Sequence, residues 1–286
     1  MEKSFFVKEY NHAATFWDRT KNFLCAKESQ NNLLVSNLLV LAKNGGGRSS
    51  SVRYFVLERN GRIEVAALLS FDKKLLVSEG DFQTNSCDGI GKFWKLIGEK
   101  NISRLIGPKQ TVQYLLGCAL EVVNYQPTLD QRVLRLNQLS DFVPSQGIMR
   151  RARSSDLTIV IQWAKDFARE CQLDENPNEV EEMIRYYVEN RFLYVWDVGK
   201  PIAMAGIGGS TIKGARINMV YTHPDYRGRN FAGSLVYLLS KKVLQSPREY
   251  CVLFTDSRNP VSNHLYEKLG YYYVCDFVEY RSCLKI

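Results

Sequence analysis

A strand, a turn and the start of a helix follow one another without a break in residues 217–233, INMVYTHPDYRGRNFAG. Residues 217–222 are rich in β-branched and aromatic side chains, which favour extended structure. Pro224 ends the strand because it has no N–H donor and its φ is fixed. Residues 231–243 then show the apolar spacing of a helix. The segment therefore predicts a strand and a helix joined by a short basic turn.

The turn has the chemistry of an anion-binding site. The first amides of a helix have no intrahelical partner, and the helix dipole adds partial positive charge there. Gly228, Ala232 and Gly233 have little or no side chain, so a pyrophosphate could approach the backbone. Arg227 and Arg229 add positive charge. The turn is therefore interpreted as a phosphate-binding loop.

This segment resembles the acyl-CoA loop of the GNAT superfamily of N-acetyltransferases, which has the form Arg/Gln-x-x-Gly-x-Gly/Ala. Arg227 fits the first position and Ala232 the last, while Asn230 stands where the family has its middle glycine. Asparagine tolerates a positive φ better than most residues, so the loop is expected to keep its shape.

A second motif, NPVSNHLYEKLGY at residues 259–271, is similar to a later motif of the same family, Asn-x-x-x-x-x-Leu-Tyr-x-x-Leu-Gly-Phe/Tyr. The resemblance implies that Asn259 binds the pantetheine amides and that Tyr266 protonates the leaving thiolate. A phenol suits this task because it stays protonated at neutral pH. Asn259 could also simply cap its helix. The two motifs in this order, separated by one helix and one strand, are stronger evidence than either alone.

The resemblance covers residues 149–286 and implies direct transfer of an acetyl group from acetyl-CoA to a primary amine, without a metal. In the family, the strand before the loop splays from its neighbour and pairs with the pantetheine arm like an added strand. The acetyl group would then lie near residues 218–220, where a backbone amide polarises its oxygen. The expected cofactor-binding residues are Met219, Val220, Tyr221, Thr222, Arg227, Gly228, Arg229, Asn230, Phe231, Ala232, Gly233 and Asn259.

The general base that must deprotonate the amine has no motif of its own. Glu170 is the first candidate, because the loop after the first helix of the second half usually lines the acceptor pocket in this superfamily. Asp174 and Glu175 are further candidates.

The chain is predicted to be an α/β protein made of two tandem GNAT-like domains, each with a mixed central sheet flanked by helices. The stretches 54–71 and 193–210 parallel each other as strand, turn and strand. Residues 1–140 would form a degenerate copy without a phosphate loop and residues 149–286 the catalytic domain, with the polar segment 137–148 between them. A first half unrelated to the second remains an alternative.

Length and composition predict where the protein resides and whether it holds a metal. The chain has 286 residues, and no apolar run is long enough to span a membrane. Its start lacks a signal peptide, and its seven cysteines form no CxxC pair, so reduced thiols in the cytoplasm and no metal site are expected. The Gly-rich stretch 44–51 predicts a flexible loop.

The net charge of +8 makes nucleic-acid binding one function to consider. Nucleic-acid binding is not favoured, because no dense basic tract occurs beyond Arg150, Arg151 and Arg153. The expected partners are acetyl-CoA and an amine acceptor, more readily a small molecule than a protein, with homodimer formation left open. The alternative from another class is a non-catalytic acyl-CoA-binding or regulatory protein.

Overall fold

The computed structural model describes residues 4–43, 52–83, 86–98, 102–119 and 124–283. The chain divides into two compact units, the first made of residues 1–133 and 274–286 and the second of residues 134–273. The Gly-rich loop predicted at residues 44–51 lies outside the described residues. None of the described helices is long and apolar enough to cross a membrane.

Both units contain helices and strands interspersed along the chain. The first part of the chain contains β1 (Phe5–Tyr10), α1 (Ala13–Ala26), α2 (Asn32–Lys43), β2 (Arg53–Arg59), β3 (Arg62–Leu69), β4 (Lys74–Val77), α3 (Cys87–Ile97), β5 (Arg104–Pro108), α4 (Lys109–Gly117) and β6 (Tyr125–Leu136). The second part contains β7 (Ile148–Arg151), α5 (Leu157–Glu170), α6 (Pro177–Glu189), β8 (Leu193–Asp197), β9 (Pro201–Ser210), β10 (Gly214–Thr222), α7 (Phe231–Leu244), β11 (Tyr250–Asp256), α8 (Pro260–Lys268) and β12 (Tyr272–Ser282).

Each unit builds its sheet by the same pairing scheme. In the first, β1, β2, β3 and β4 are successive antiparallel neighbours, and β4 pairs in parallel with β5. In the second, β7, β8, β9 and β10 are successive antiparallel neighbours, and β10 pairs in parallel with β11. The order of helices and strands between these partners is also the same. The predicted fold class, two tandem α/β domains with mixed sheets flanked by helices, is confirmed.

Local sequence explains where the helices of the second unit begin and end. The Asn176 side chain accepts a hydrogen bond from the Asn178 N–H, with Pro177 at the first position of α6. Gly270 follows α8 with a φ of +101° and ends that helix, as the sequence predicts.

Two apolar cores stabilise the second unit. One contains side chains of α7 and α8, among them Leu235, Leu239 and Tyr266. The other contains side chains of α5 and α6, among them Trp163 and Ile184. The helices therefore cover the sheet from two sides, which leaves the ends of its strands as the places where a ligand can reach the backbone.

The polar segment 137–148, predicted as the boundary between domains, belongs to the second unit. Its Phe142 ring stacks on Tyr237 of α7 with a centroid distance of 5.1 Å. Its Ser145 N–H donates to the Ser234 hydroxyl at 2.8 Å. The proline and glycine of this segment therefore lie in a loop that packs against α7.

The end of the second unit also differs from the predicted 286, because residues 274–286 belong to the first unit. Strand β12 pairs antiparallel with β5, from Phe277 opposite Pro108 to Arg281 opposite Arg104. The residue types of a strand do not reveal which sheet it will join, and for this reason the sequence placed it with its chain neighbours.

The expectation that all cysteines are reduced is wrong at one pair in the first unit. Cys87, at the start of α3, forms a disulfide with Cys118, which follows α4. The sequence separation of 31 hides the pairing, because only the packing of the two helices brings their ends together.

A partly buried arginine, Arg150, connects the first elements of the second unit. Arg150 of β7 donates to both oxygens of Asp156 at 2.7 and 3.1 Å and to Asp197 at 2.6 Å. The hydrogen bond from Arg150 is the main cause that keeps the pKa of Asp156 below its ordinary value. This network joins β7, β8 and the turn before α5.

We expect Arg150→Met to destabilise the protein by about 3 kcal/mol at pH 7, because it leaves two mostly buried carboxylates without their cation. Since the folded-state pKa of Asp156 is depressed, the wild type loses this contribution as the pH falls below about 4, and the difference between the two proteins shrinks. Urea unfolding at pH 7 and pH 3 measures both effects. The matched control is Arg169→Met, whose pair with Asp166 is exposed and contributes less than about 1 kcal/mol. Equal losses in the two variants would contradict the assigned role of Arg150.

Candidate active site

Strands β10 and β11 separate after only three residue pairs. The parallel register joins Gly214, Ala215 and Arg216 to residues 250–252, and within the described residues no later position of β10 pairs with β11. From residue 217 to residue 222, β10 has β9 on one side only. Its other edge therefore offers free backbone donors and acceptors, which an extended ligand can pair with like an added strand. The splay implied by the family resemblance is present.

At the equivalent place in the described part of the first unit, the strand is too short to leave such an edge. Strand β4 is four residues long, and three of them, Lys74, Leu75 and Leu76, pair with β5. Its other side is paired with β3 from Leu75 to Val77. Strand β4 ends one residue after its last pair with β5, whereas β10 continues for six residues beyond its last pair with β11.

A bulge in β10 lies beside the opening. The register with β9 shifts between Asn218 and Tyr221, and Met219 has a φ of +53°. Positive φ at a residue other than glycine costs on the order of 1 kcal/mol or more and is found preferentially at functional sites. The bulge also changes which face the side chains meet, because Ile217 packs in the core with α7 and α8, whereas Met219 and Tyr221 pack in the core with α5 and α6.

Asn218, just before the bulge, has a fixed carboxamide. Its Nδ2 donates to the Tyr187 hydroxyl at 3.2 Å, and a Cβ at Gly208 would overlap it. Its Oδ1 is buried and, among the described residues, accepts no hydrogen bond. Sequence reasoning gave Asn218 and Tyr187 no role of their own. The glycine-rich run at 206–209 is the signal that a neighbouring side chain lies flat on this strand.

The turn after β10 has the backbone shape expected from its sequence. Residues Pro224–Tyr226 form one 3₁₀ turn, Gly228 has a φ of +75°, and Asn230 is left-handed at a φ of +61°. The expectation that Asn230 can adopt the conformation usually given to glycine is confirmed. A Cβ at Gly228 would meet no atom within 4 Å, so this residue faces open space.

Gly233 was expected to leave room for a phosphate, but packing supplies another reason for its lack of a side chain. A Cβ there would lie 2.5 Å from the Asn230 Oδ1 and 2.8 Å from the Leu265 Cδ1. The residue therefore lets the start of α7 lie against α8.

The backbone N–H groups at the start of α7 are available to bind a ligand. Asn230 precedes the helix, and its side chain makes no capping hydrogen bond. Phe231, Ala232 and Gly233 are the first helical residues, whose N–H groups have no acceptor within the helix. Ser145 supports the turn from outside by donating its hydroxyl to the Arg229 carbonyl at 3.0 Å. This geometry suits the binding of an anion.

Arg227 and Glu170, predicted for different tasks, are brought together. The Arg227 Nη2 donates to the Glu170 carboxylate oxygens at 2.8 and 2.9 Å, and its Nε donates to the Thr222 carbonyl at 3.0 Å. The bond to Glu170 is the main cause that raises the pKa of Arg227 above its ordinary value. Arg227 therefore ties the end of α5 to the end of β10. Arg229, the second arginine of the turn, has its guanidinium 5.8 Å from the centre of the Tyr226 ring.

Tyr266 lies in the last turn of α8 and is only 6% exposed. Burial, and then the nearby Cys171 thiol, raises the pKa of this phenol above its ordinary value. The hydroxyl therefore keeps its proton at neutral pH. Asn259 accepts a hydrogen bond from the Ser262 N–H at 3.2 Å, so it caps α8 as the simpler of its two interpretations predicts.

Cys171 is a free cysteine directly after α5. It follows Glu170 in sequence and lies close enough to Tyr266 to affect its pKa. Partial burial, followed by the charges of Glu170, Asp256 and Glu175, raises the pKa of Cys171 to about 11. The thiol is therefore protonated at neutral pH and is a poor nucleophile. Glu175 thus lies near this end of the site. Asp174 is exposed in the same α5–α6 connection.

No group of three or more histidine, cysteine or acidic residues in the described part of the chain could hold a metal ion.

Comparisons with known proteins agree with this geometry. Residues 157–271 match the model of the Acetyltransferase (GNAT) family. None of the curated protein sequences matches the chain.

Solved structures resemble the chain over almost its whole length. A GNAT-family acetyltransferase from Colwellia psychrerythraea aligns with a TM-score of 0.58 and 13% identity, over 97% of this chain and 99% of that one. A GCN5-related N-acetyltransferase from Sphaerobacter thermophilus has a TM-score of 0.63 and 14% identity, over 97% and 95%. A tandem GNAT protein from the clavulanic acid biosynthesis pathway has a TM-score of 0.56 and 10% identity, over 97% and 98%. At these identities the likeness concerns the fold, and it includes both units.

The left-handed conformation of Asn230 can be tested by two substitutions. We expect Asn230→Ala to lose about 1 kcal/mol of stability, because a Cβ without a compensating side chain is disfavoured at this φ. Asn230→Gly is the matched variant and should lose little, since glycine adopts positive φ freely. Urea unfolding measures both. An equal loss in the two variants would assign the role to the Asn230 side chain and not to its backbone.

Proposed function

We propose that this chain, which belongs to the GNAT acetyltransferase family through residues 157–271, transfers the acetyl group of acetyl-CoA to the primary amine of a small molecule. One observation carries the proposal: the open edge of β10 leads directly to the turn that starts α7. An extended strand edge that ends at a helix N-terminus matches a ligand with an extended amide-containing arm and a pyrophosphate.

The cofactor-binding part of the site consists mainly of backbone. The N–H groups from Gly228 to Gly233 would hold the pyrophosphate, and Arg229 would add charge. The free edge at Val220 and Thr222 would pair with the pantetheine amides. Main-chain recognition of this kind tolerates Asn in place of Gly at residue 230, since the backbone keeps the required conformation.

In the reaction, the amine nitrogen attacks the thioester carbonyl, a C–N bond forms and the C–S bond breaks. A backbone amide of β10 near the bulge would stabilise the developing oxyanion. Tyr266 would give its proton to the departing CoA sulfur, since the phenol is protonated at neutral pH when the thiolate forms. The attacking amine also loses a proton, and a base must accept it.

Glu170 would be that base only after it leaves Arg227. The ion pair between them is about half exposed on both sides, so it is weak enough to exchange. A pyrophosphate in the turn offers Arg227 a second anion, which would release the Glu170 carboxylate. Binding of acetyl-CoA would in this way prepare the base for the amine.

The same ion pair favours a second candidate function, an acyl-CoA-binding protein without turnover. If Glu170 stays with Arg227 in the complex, the site has a binding loop and no free base from this residue. Such a protein would bind acetyl-CoA and release no CoA in the presence of amines.

Calorimetric titration with acetyl-CoA tests the binding half of the proposal. We expect micromolar affinity in the wild type and at least about tenfold weaker binding in Arg227→Glu, equivalent to ~1.4 kcal/mol. Arg185→Glu is the matched control, because Arg185 is also exposed and paired with a glutamate, but on α6. Wild-type protein that binds no acetyl-CoA would overturn the proposal. Binding followed by acetylation in a screen of primary amines would support the enzyme over its non-catalytic rival.

Replacement of one phenol tests the chemical step. We expect Tyr266→Phe to lower kcat by about 10²-fold, the effect of losing a general acid, and to leave the Kd of acetyl-CoA within about twofold. Release of free CoA thiol measures kcat. Tyr271→Phe is the matched control, since this neighbouring phenol is also buried but binds Ser240. Unchanged kcat in Tyr266→Phe, or an equal loss in the control, would remove Tyr266 from the mechanism.

A further inference from the structure

Four arginines line a cavity of about 560 Å³ in the second unit, together with Ser154 and Glu189. They come from separate parts of the chain: Arg150 and Arg151 from β7, Arg153 from the turn after it, and Arg191 from the connection between α6 and β8. Strand β7 lies three strands from β10, which corresponds to about 14 Å across the sheet. The cavity is therefore distinct from the opening beside β10.

Arg150 is the only one of the four whose charge is already compensated within the described residues. Its two carboxylate partners, Asp156 and Asp197, lie within 2.7 Å of its guanidinium nitrogens. It acts as a rigid support that holds β7 beside the other elements.

The other three arginines are exposed and have no carboxylate within 4.0 Å in the part of the chain that the structure describes. The best polar contact of Arg151 is the Tyr194 hydroxyl, at 3.5 Å from its Nε. Arg191 is held in position by its backbone, which is left-handed at a φ of +60° and donates its N–H to the Val188 carbonyl at 3.1 Å. Because Arg150 is already offset by its own carboxylates, the lining is left with three arginines and one glutamate, so positive charge is in excess there.

Like charges that converge on one concave surface repel one another, and an anion between them removes this cost. Guanidinium groups are the side chains best suited to phosphate, because their N–H groups donate in pairs to its oxygens. The Ser154 hydroxyl adds one more donor to the lining.

Protection of a sheet edge explains only part of this arrangement. β7 is the last strand of its sheet, and charged side chains on an edge strand discourage pairing with another chain. This explains Arg151, but not Arg191, which comes from a different connection and faces the same cavity.

We propose that this cavity binds the phosphate group of a small molecule other than the acyl-CoA, through Arg151, Arg153 and Arg191. A nucleic acid fits less well, because it requires a basic track along the surface, whereas these charges surround one concavity.

Pyrophosphate is a suitable probe, and Arg227→Glu is the background in which to use it, since that variant weakens the turn before α7. In this background we expect calorimetry to detect pyrophosphate binding that becomes at least about tenfold weaker in Arg153→Gln/Arg191→Asn. Asparagine is chosen at residue 191 because it accommodates the positive φ. The control Lys241→Gln/Lys242→Gln removes the same charge from exposed positions of α7 and should leave the affinity unchanged.

Three results would overturn the proposal. The Arg227→Glu protein could fail to bind pyrophosphate, or the arginine and lysine variants could weaken binding equally, which would indicate general attraction to a basic protein. A 20-nucleotide single strand could also bind much more tightly than pyrophosphate, with a steep salt dependence lost in the arginine variant, which would make the surface a nucleic-acid site. Unchanged thermal unfolding of the arginine variant shows that any loss of binding is not a loss of fold.

Discussion

The whole candidate site depends on hydrogen bonds that β10 does not make. A parallel pair of strands would normally continue, but β10 and β11 stop pairing after Arg216, and the bulge at Met219 follows within three residues. The energy for this arrangement comes from the cores on both sides, which hold Ile217 and Tyr221 in place although they face different helices. The unpaired edge is thus a stable feature of the fold, ready to pair with a ligand.

The two units differ by only a few local features, although the candidate site lies in the second unit alone. Both have the same order of strands and helices and a parallel pair of three residues, but β4 ends one residue beyond that pair, whereas β10 continues to Thr222. The first unit also has no arginine and no Gly-x-Asn pattern between β4 and α3. A longer strand, a bulge and a basic turn are what distinguish the second unit from the first.

Local features were predictable from the sequence, and long-range ones were not. The turn, the left-handed Asn230 and the cap at Asn259 depend on residues close in the chain, so their types were informative. The ion pair of Arg227 with Glu170 joins positions 57 apart, and the contact of Asn218 with Tyr187 joins positions 31 apart. The disulfide and the sheet that receives β12 also depend on packing between distant segments. No pattern within a short window contains that information.

The division of the chain has a consequence for the order in which the protein becomes complete during synthesis. The second unit is one continuous stretch, residues 134–273, whereas the first needs β12 from the far side of that stretch. A ribosome therefore releases all of the second unit before the first unit has its last strand. The folded second unit then replaces a long flexible loop between the two parts of the first, which lowers the entropic cost of bringing β12 to β5. The second unit, which carries the open strand β10, would thus help the first unit to fold.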